Sequence, residues 1–81
     1  MASLDDEIMD LIAEEALIDR VRLNRIATLA DVGLDSVDVV SVVFAVEEKY
    51  GVQIAEDALG NVTNLGELLD IFEATIKKHR A

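Results

Sequence analysis

Residues 36–50 read Ser36-Val37-Asp38-Val39-Val40-Ser41-Val42-Val43-Phe44-Ala45-Val46-Glu47-Glu48-Lys49-Tyr50, and two rules of secondary structure disagree over them. Six of these residues are valine, and β-branched side chains favour strands. Length favours a helix, because an unbroken run of this size without Gly or Pro is long for a strand and ordinary for a helix. The flanks agree with the helix. Asp35 can accept the first free N–H groups, and Gly51 can close the last turn. Val37, Val40 and Phe44 form one row at helical spacing, and Val43, Val46 and Tyr50 another. Both rows are expected to be buried, with Asp38, Ser41, Glu48 and Lys49 largely outside them. The spacing predicts a helix over Ser36–Tyr50.

Upstream, Ser3 followed by Asp6 has the form of a capping box, and Asp5, Asp6 and Glu7 favour a helix start electrostatically. Leu4, Ile8, Leu11 and Ile12 repeat along one helical face, which predicts a helix from Leu4 to Ala16 or Leu17. Residues 19–34 have no clean period. Val21, Leu23, Ile26 and Leu29 are expected to pin this segment across the core as a long ordered loop with room for one helical turn. Downstream, Val52-Gln53-Ile54 is a connector, and Glu56 to Gly60 suits a single turn. Asn64 with Glu67 forms a second capping box. Leu65, Leu68, Leu69, Phe72 and Ile76 then make an apolar stripe, predicting a helix from Leu65 to Lys78, with Lys77, Lys78 and Arg80 complementing its C-terminal dipole. The fold class is all-α: a small four-helix bundle of three principal helices and one short one, spanning residues 1–81 as a single domain.

Composition narrows the functions such a bundle could have. The chain has 81 residues, a formal net charge of -10, no Cys and one His, His79. Disulfides, thiolate metal sites and cysteine nucleophiles are excluded. Residues 31–75 hold ten acids and one base, Lys49. Nucleic acid is therefore an unfavourable partner; the acidity serves either plain solubility, the commoner case, or docking on basic protein surfaces. No apolar run is long enough to span a bilayer and the N-terminus is acidic, so a soluble, cytoplasmic monomer is expected.

The chain is a poor candidate for an enzyme. It has carboxylates in quantity, but no phosphate loop, metal spacing or activated nucleophile. Ser36 is the residue that could carry chemistry. It opens the valine-rich helix after the turn at Gly33, where free N–H groups and the positive end of the helix dipole tolerate a phosphate. With no general base beside it, Ser36 is better suited to be modified by another enzyme than to attack a substrate. By spacing alone, an ordinary helix-start serine is the stronger reading of it.

Asp31-Val32-Gly33-Leu34-Asp35-Ser36-Val37-Asp38, followed by Val40, Phe44, Glu47-Glu48, Tyr50-Gly51 and Ile54, resembles the acyl carrier proteins. Their signature is D-L-G-x-D-S-L, running into an acidic-faced helix. The order of elements, the size and the acidity are similar as well. The resemblance implies that Ser36 bears 4′-phosphopantetheine, a covalent cofactor attached by a phosphopantetheinyl transferase, whose thiol holds acyl groups as thioesters. It implies that Asp35, Asp38, Glu47 and Glu48 meet basic patches on acyl-loading, elongating and transfer enzymes. It also implies that an acyl chain can fold back between the helices. Ser41 stands where fatty-acid carriers usually have glutamate, Val37 replaces a leucine, and Ala55 replaces a common proline. These departures suggest a carrier in fatty acid synthesis or in a specialised lipid or polyketide-type pathway. A D-alanyl or aminoacyl carrier and an unmodified acidic interaction module are the alternatives.

Overall fold

The computed structural model describes the backbone of residues 3–80 and all their side chains except those of Glu56 and Arg80. Among these residues four helices follow one another: α1 over Leu4–Ala16, α2 over Ser36–Tyr50, α3 over Glu56–Leu59 and α4 over Leu65–Arg80. A 3-10 turn at Arg20–Arg22 interrupts the long first loop, and no strand occurs among the described residues. α1 packs against α2 and α4, and α3 packs against α4. Helix α4 runs two residues past the expected Lys78. The Arg80 side chain, expected to complement the dipole, lies outside the described ones.

The caps set the helix limits. Ser3 accepts the N–H of Asp6, and Asn64 accepts that of Glu67 at 2.9 Å. The Glu67 carboxylate reaches back to the N–H and hydroxyl of Thr63, one residue before the expected partner. Helix α1 ends on Leu17, which adopts φ 56° and ψ 45° and is 92% exposed. A left-handed conformation costs a residue with a Cβ about 1–2 kcal/mol, and an exposed leucine recovers little of that. Leu17→Gly is accordingly expected to raise stability by about 0.5–1 kcal/mol, measured by urea denaturation.

Ile8 and Ile12 of α1, Val42 and Val46 of α2, and the whole α4 stripe of Leu65, Leu68, Leu69, Phe72 and Ile76 are completely buried. Helix α2 departs from expectation. Val42, Val43 and Val46 face the core, whereas Val37, Val40 and Phe44 are exposed. The helix is apolar on nearly every side, so periodicity identifies it as a helix without saying which side faces in. The first loop needs a similar correction. Leu23 is buried and Leu29 partly so, but Val21 and Ile26 are exposed, and Val32 and Leu34 supply the missing anchors. Polar turns cause this. Asp19 Oδ1 accepts the N–H of Val21, and Asn24 Oδ1 accepts those of Ile26 and Ala27, which fixes the backbone whatever the side chains prefer.

The loop is tied to the start of α4. Leu65 N–H donates to the Ala27 carbonyl and Gly66 N–H to that of Arg25, at 2.9 and 2.8 Å. Arg25 then bridges α1 and α4, pairing with Asp5 at 2.6 Å, with Asp70, and with Glu73 at 3.5 Å. Asp5 Oδ1 and Glu73 Oε2 are buried with no donor other than a proton shared between the two carboxyls. Two carboxylates in contact compete for one proton. Glu73 is pushed above the ordinary carboxyl range, first by its hydrogen bond to Asp5, then by burial and the Asp5 charge. Asp5 is lowered, chiefly by the same hydrogen bond, with burial opposing and Arg25 assisting.

The sign for Glu73 follows from its raised value. Its stabilising proton is fully present below the unfolded-state pKa and is lost as pH rises through the folded-state one. Glutamine supplies an N–H donor at every pH. Glu73→Gln is therefore expected to raise the melting temperature at pH 7, with the difference from wild type shrinking as the pH is lowered through the Glu73 titration. Melting curves across that range check it.

Candidate functional site

The segment before α2 is wound tightly enough to fix its first residue. Asp31 N–H donates to Thr28 Oγ1, Val32 N–H to the Thr28 carbonyl, and Leu34 N–H to the Leu29 carbonyl at 2.8 Å. Between the two buried anchors, Gly33 turns the chain at φ 82°, a conformation open to glycine at little cost. Val32 and Leu34 enter the core on either side of that turn, so Asp35 and Ser36 emerge at the surface in a set direction.

Asp35 and Asp38 then form a reciprocal capping box. Asp35 Oδ1 accepts the Asp38 N–H at 2.9 Å, and Asp38 Oδ2 accepts the Asp35 N–H at 3.3 Å. The sequence reading had Asp35 as a cap and missed the reciprocal bond. The signal was present in the spacing, which repeats that of Ser3 and Asp6. With Asp38 N–H satisfied, the N–H groups of Ser36 and Val37 remain without an intrahelical carbonyl, at the positive end of a fifteen-residue helix. Ser36 is exposed at that end.

The other candidate residues are distributed along α2. Ser41 and Glu48 are exposed, while Asp38 and Glu47 are half-buried. Glu47 also has a task inside the fold: its carboxylate accepts the Ile54 N–H at 2.9 Å and so holds the connector to α3. Val37, Ser41, Phe44 and Glu48 repeat at helical spacing along one exposed row, with Val40 beside them. This apolar component was assigned to the core by sequence reasoning.

A cavity of about 560 Å³ opens between α2, α3 and α4 next to the serine. Ser36 and Asp35 contribute to its rim, and Leu34, Val43, Ile54 and Leu68 to its buried walls. Among the described residues no group of His, Cys, Asp and Glu is arranged to hold a metal ion. Nor, among the described residues, is any helix long and apolar enough to cross a membrane.

Ser36 is thus exposed at a helix N-terminus and borders a largely apolar cavity. Residues 6–72 match the family model for the phosphopantetheine attachment site. Over 72 residues the chain is 35% identical to an acyl carrier protein of Helicobacter pylori (strain ATCC 700392 / 26695), covering 88% of this chain and 92% of that one. It is 29% identical to an acyl carrier protein of Guillardia theta, covering 88% and 89%. The chain belongs to the acyl carrier protein family, whose members are covalently modified carriers and not catalysts.

The local geometry fits a phosphodiester-linked arm. Two N–H groups and the helix dipole favour the phosphate, and the two nearest carboxylates are already engaged with backbone donors. Their residual charge acts on a solvent-exposed position, where it is screened.

Proposed function

We propose that Ser36 is the residue that carries the 4′-phosphopantetheine arm, and that the protein shuttles acyl intermediates between enzymes of fatty acid or specialised lipid or polyketide-type biosynthesis in the cytoplasm. The observation that carries this reading is the position of Ser36: exposed, first in α2, and on the rim of the apolar cavity. When attached, the arm supplies the thiol that a chain without cysteine lacks, and acyl groups are held on it as thioesters.

The protein's own residues position and present that arm. Gly33, Val32 and Leu34 set the direction of Ser36, and Asp35 and Asp38 secure the helix start beneath it. The exposed side of α2 is the surface offered to partners, which are a phosphopantetheinyl transferase and acyl-loading, elongating or transfer enzymes with basic docking patches. Asp35, Asp38, Glu47 and Glu48 supply negative potential for steering, and Val37, Val40 and Phe44 supply apolar area between them. Exposed ion pairs contribute about 0–1 kcal/mol each, so these contacts speed encounter without making it long-lived. Ser41 leaves the middle of that surface uncharged, which suits a dedicated partner better than a general fatty-acid enzyme.

The test is incubation of the protein with coenzyme A and a broad-specificity phosphopantetheinyl transferase, followed by intact-mass measurement. The expected result is complete conversion to a species heavier by one phosphopantetheinyl group. An unchanged mass supports the alternative of an unmodified interaction module.

A further inference from the structure

The first turn of α1 meets α4 through carboxyl groups. Asp5 of α1 and Glu73 of α4 converge on one nitrogen of the first loop: Arg25 Nη1 stands 2.6 Å from Asp5 Oδ2 and 3.5 Å from Glu73 Oε2. We propose that these three residues form a proton-operated latch: one proton shared between the two carboxyls holds the first turn of α1 to α4, and the turn lets go when that proton leaves. None of the three lines the cavity beside Ser36, and the latch does not depend on what Ser36 carries.

The proton is needed because the surrounding charges do not balance without it. The Asp5 side chain is 30% exposed and that of Glu73 18%, so water and salt screen their repulsion only in part. Asp70, one turn before Glu73 on the same helix, also pairs with Arg25. Lys77, one turn after Glu73, is exposed and attracts both carboxylates only through space. The other arginines of the loop are engaged elsewhere: Arg20 holds Asp6 and Asp10, and Arg22 donates to the Asp31 carbonyl. Of the elements packed on α1 and α4, α2 spends Asp38 and Glu47 on backbone N–H groups and exposes Glu48 and Lys49, and α3 exposes Asp57. Contact with Asp5 and burial accordingly keep Glu73 protonated above the ordinary carboxyl range.

Which side moves follows from the hydrogen bonds of Arg25. Its carbonyl accepts the Gly66 N–H at 2.8 Å, its Nη2 donates to the Gly66 carbonyl at 3.3 Å, and Asp70 pairs with it as well. Three attachments bind it to α4 besides Glu73, against one to α1 through Asp5. When both carboxyls are ionised, Arg25 stays with α4, and Asp5 is the group driven outward. Asp5 is the second residue of α1, and helix ends are the cheapest parts of a fold to open. Ile8, Met9 and Ile12 are buried from the next turn onward and keep the rest of α1 in place. Loss of one proton thus frees one helical turn and leaves the bundle closed.

The experiment measures amide hydrogen exchange of the full chain by nuclear magnetic resonance across the Glu73 titration, with each rate expressed as protection relative to an unstructured amide. The reporter is the Glu7 N–H, which donates to the Ser3 carbonyl at 3.0 Å in the first turn of α1. The references are the amides of Val46 and Phe72, both completely buried residues. In the wild-type protein Glu7 is expected to lose protection as the pH rises through that titration, while Val46 and Phe72 keep theirs. Glu73→Gln offers Asp5 an N–H donor at every pH and should make the Glu7 protection independent of pH. Asp5→Asn does the same from the α1 side and supplies the same readout should the first variant fold poorly. Asp70→Asn keeps the shared proton and should retain the wild-type pH dependence. Constant Glu7 protection in the wild-type protein overturns the latch. So does a pH-dependent loss that persists in Glu73→Gln or in Asp5→Asn. An equal loss at Val46 and Phe72 also overturns it, because the whole bundle would then be opening.

Discussion

Ser36→Ala is expected to abolish phosphopantetheinylation outright while leaving the bundle folded. The two halves of that expectation have separate physical grounds. Modification needs an oxygen nucleophile at the first residue of α2, and alanine has none. The other serines, Ser3 and Ser41, sit before α1 and within α2, where neither the Gly33 turn nor the cavity rim is available. Stability should barely change. Ser36 is exposed, and the helix start is capped by Asp35, so the substitution touches no buried group and falls within about 0.5 kcal/mol of wild type. Intact mass and circular dichroism on the same sample check both halves. A variant that is still modified refutes the site assignment. A variant that unfolds means Ser36 has a structural role that its exposure does not reveal.

Gly66→Ala is expected to destabilise the protein by about 1–3 kcal/mol, although alanine is the better helix former. At an exposed helical position the same change would gain about 0.5–1 kcal/mol. Gly66 is buried in the first turn of α4, and a Cβ there would stand 2.7 Å from the Arg25 carbonyl oxygen and 3.3 Å from Arg25 Cβ. The obstacle is backbone, and that carbonyl also receives the Gly66 N–H at 2.8 Å. The loop can yield only by weakening this bond and shifting Arg25, which holds Asp5, Asp70 and Glu73 together. For a domain of this size the loss corresponds to a fall in melting temperature of roughly 5–20 °C. A melting temperature at or above that of wild type would show that the loop relaxes at no cost.

The sequence carried most of this architecture because its helices are marked by independent signals that agree. In α4 the apolar stripe, the Asn64 cap and the absence of β-branched residues through most of its length all favour a helix, and all five stripe residues are buried. In α2 propensity and length conflict, yet the Asp35 cap and Gly51 stop were enough to resolve the element's type. They could not resolve its orientation. With valines on almost every side, which of them faces inward depends on where α1 and α4 lie, and that information is not local. The same limit hid the exposed Val37, Val40 and Phe44 face. The first loop was legible only as a loop. Its path is set by Asp19 and Asn24 turns and by backbone bonds from residues 65 and 66, and such long-range pairings leave no periodicity to read. The place of Ser36 at the start of α2 was legible because the turn and cap around it are short-range. The cavity beside it is assembled from α2, α3, α4 and the loop, and emerges only on folding.

Fragmentation mass spectrometry of the transferase-treated protein bears most directly on all of this. Cleavage between residues should place one phosphopantetheinyl group on the fragment containing Ser36, with fragments containing Ser3 or Ser41 alone unmodified. A group found on either of those serines, or no group on any fragment, would contradict the assignment of Ser36 as the carrier residue.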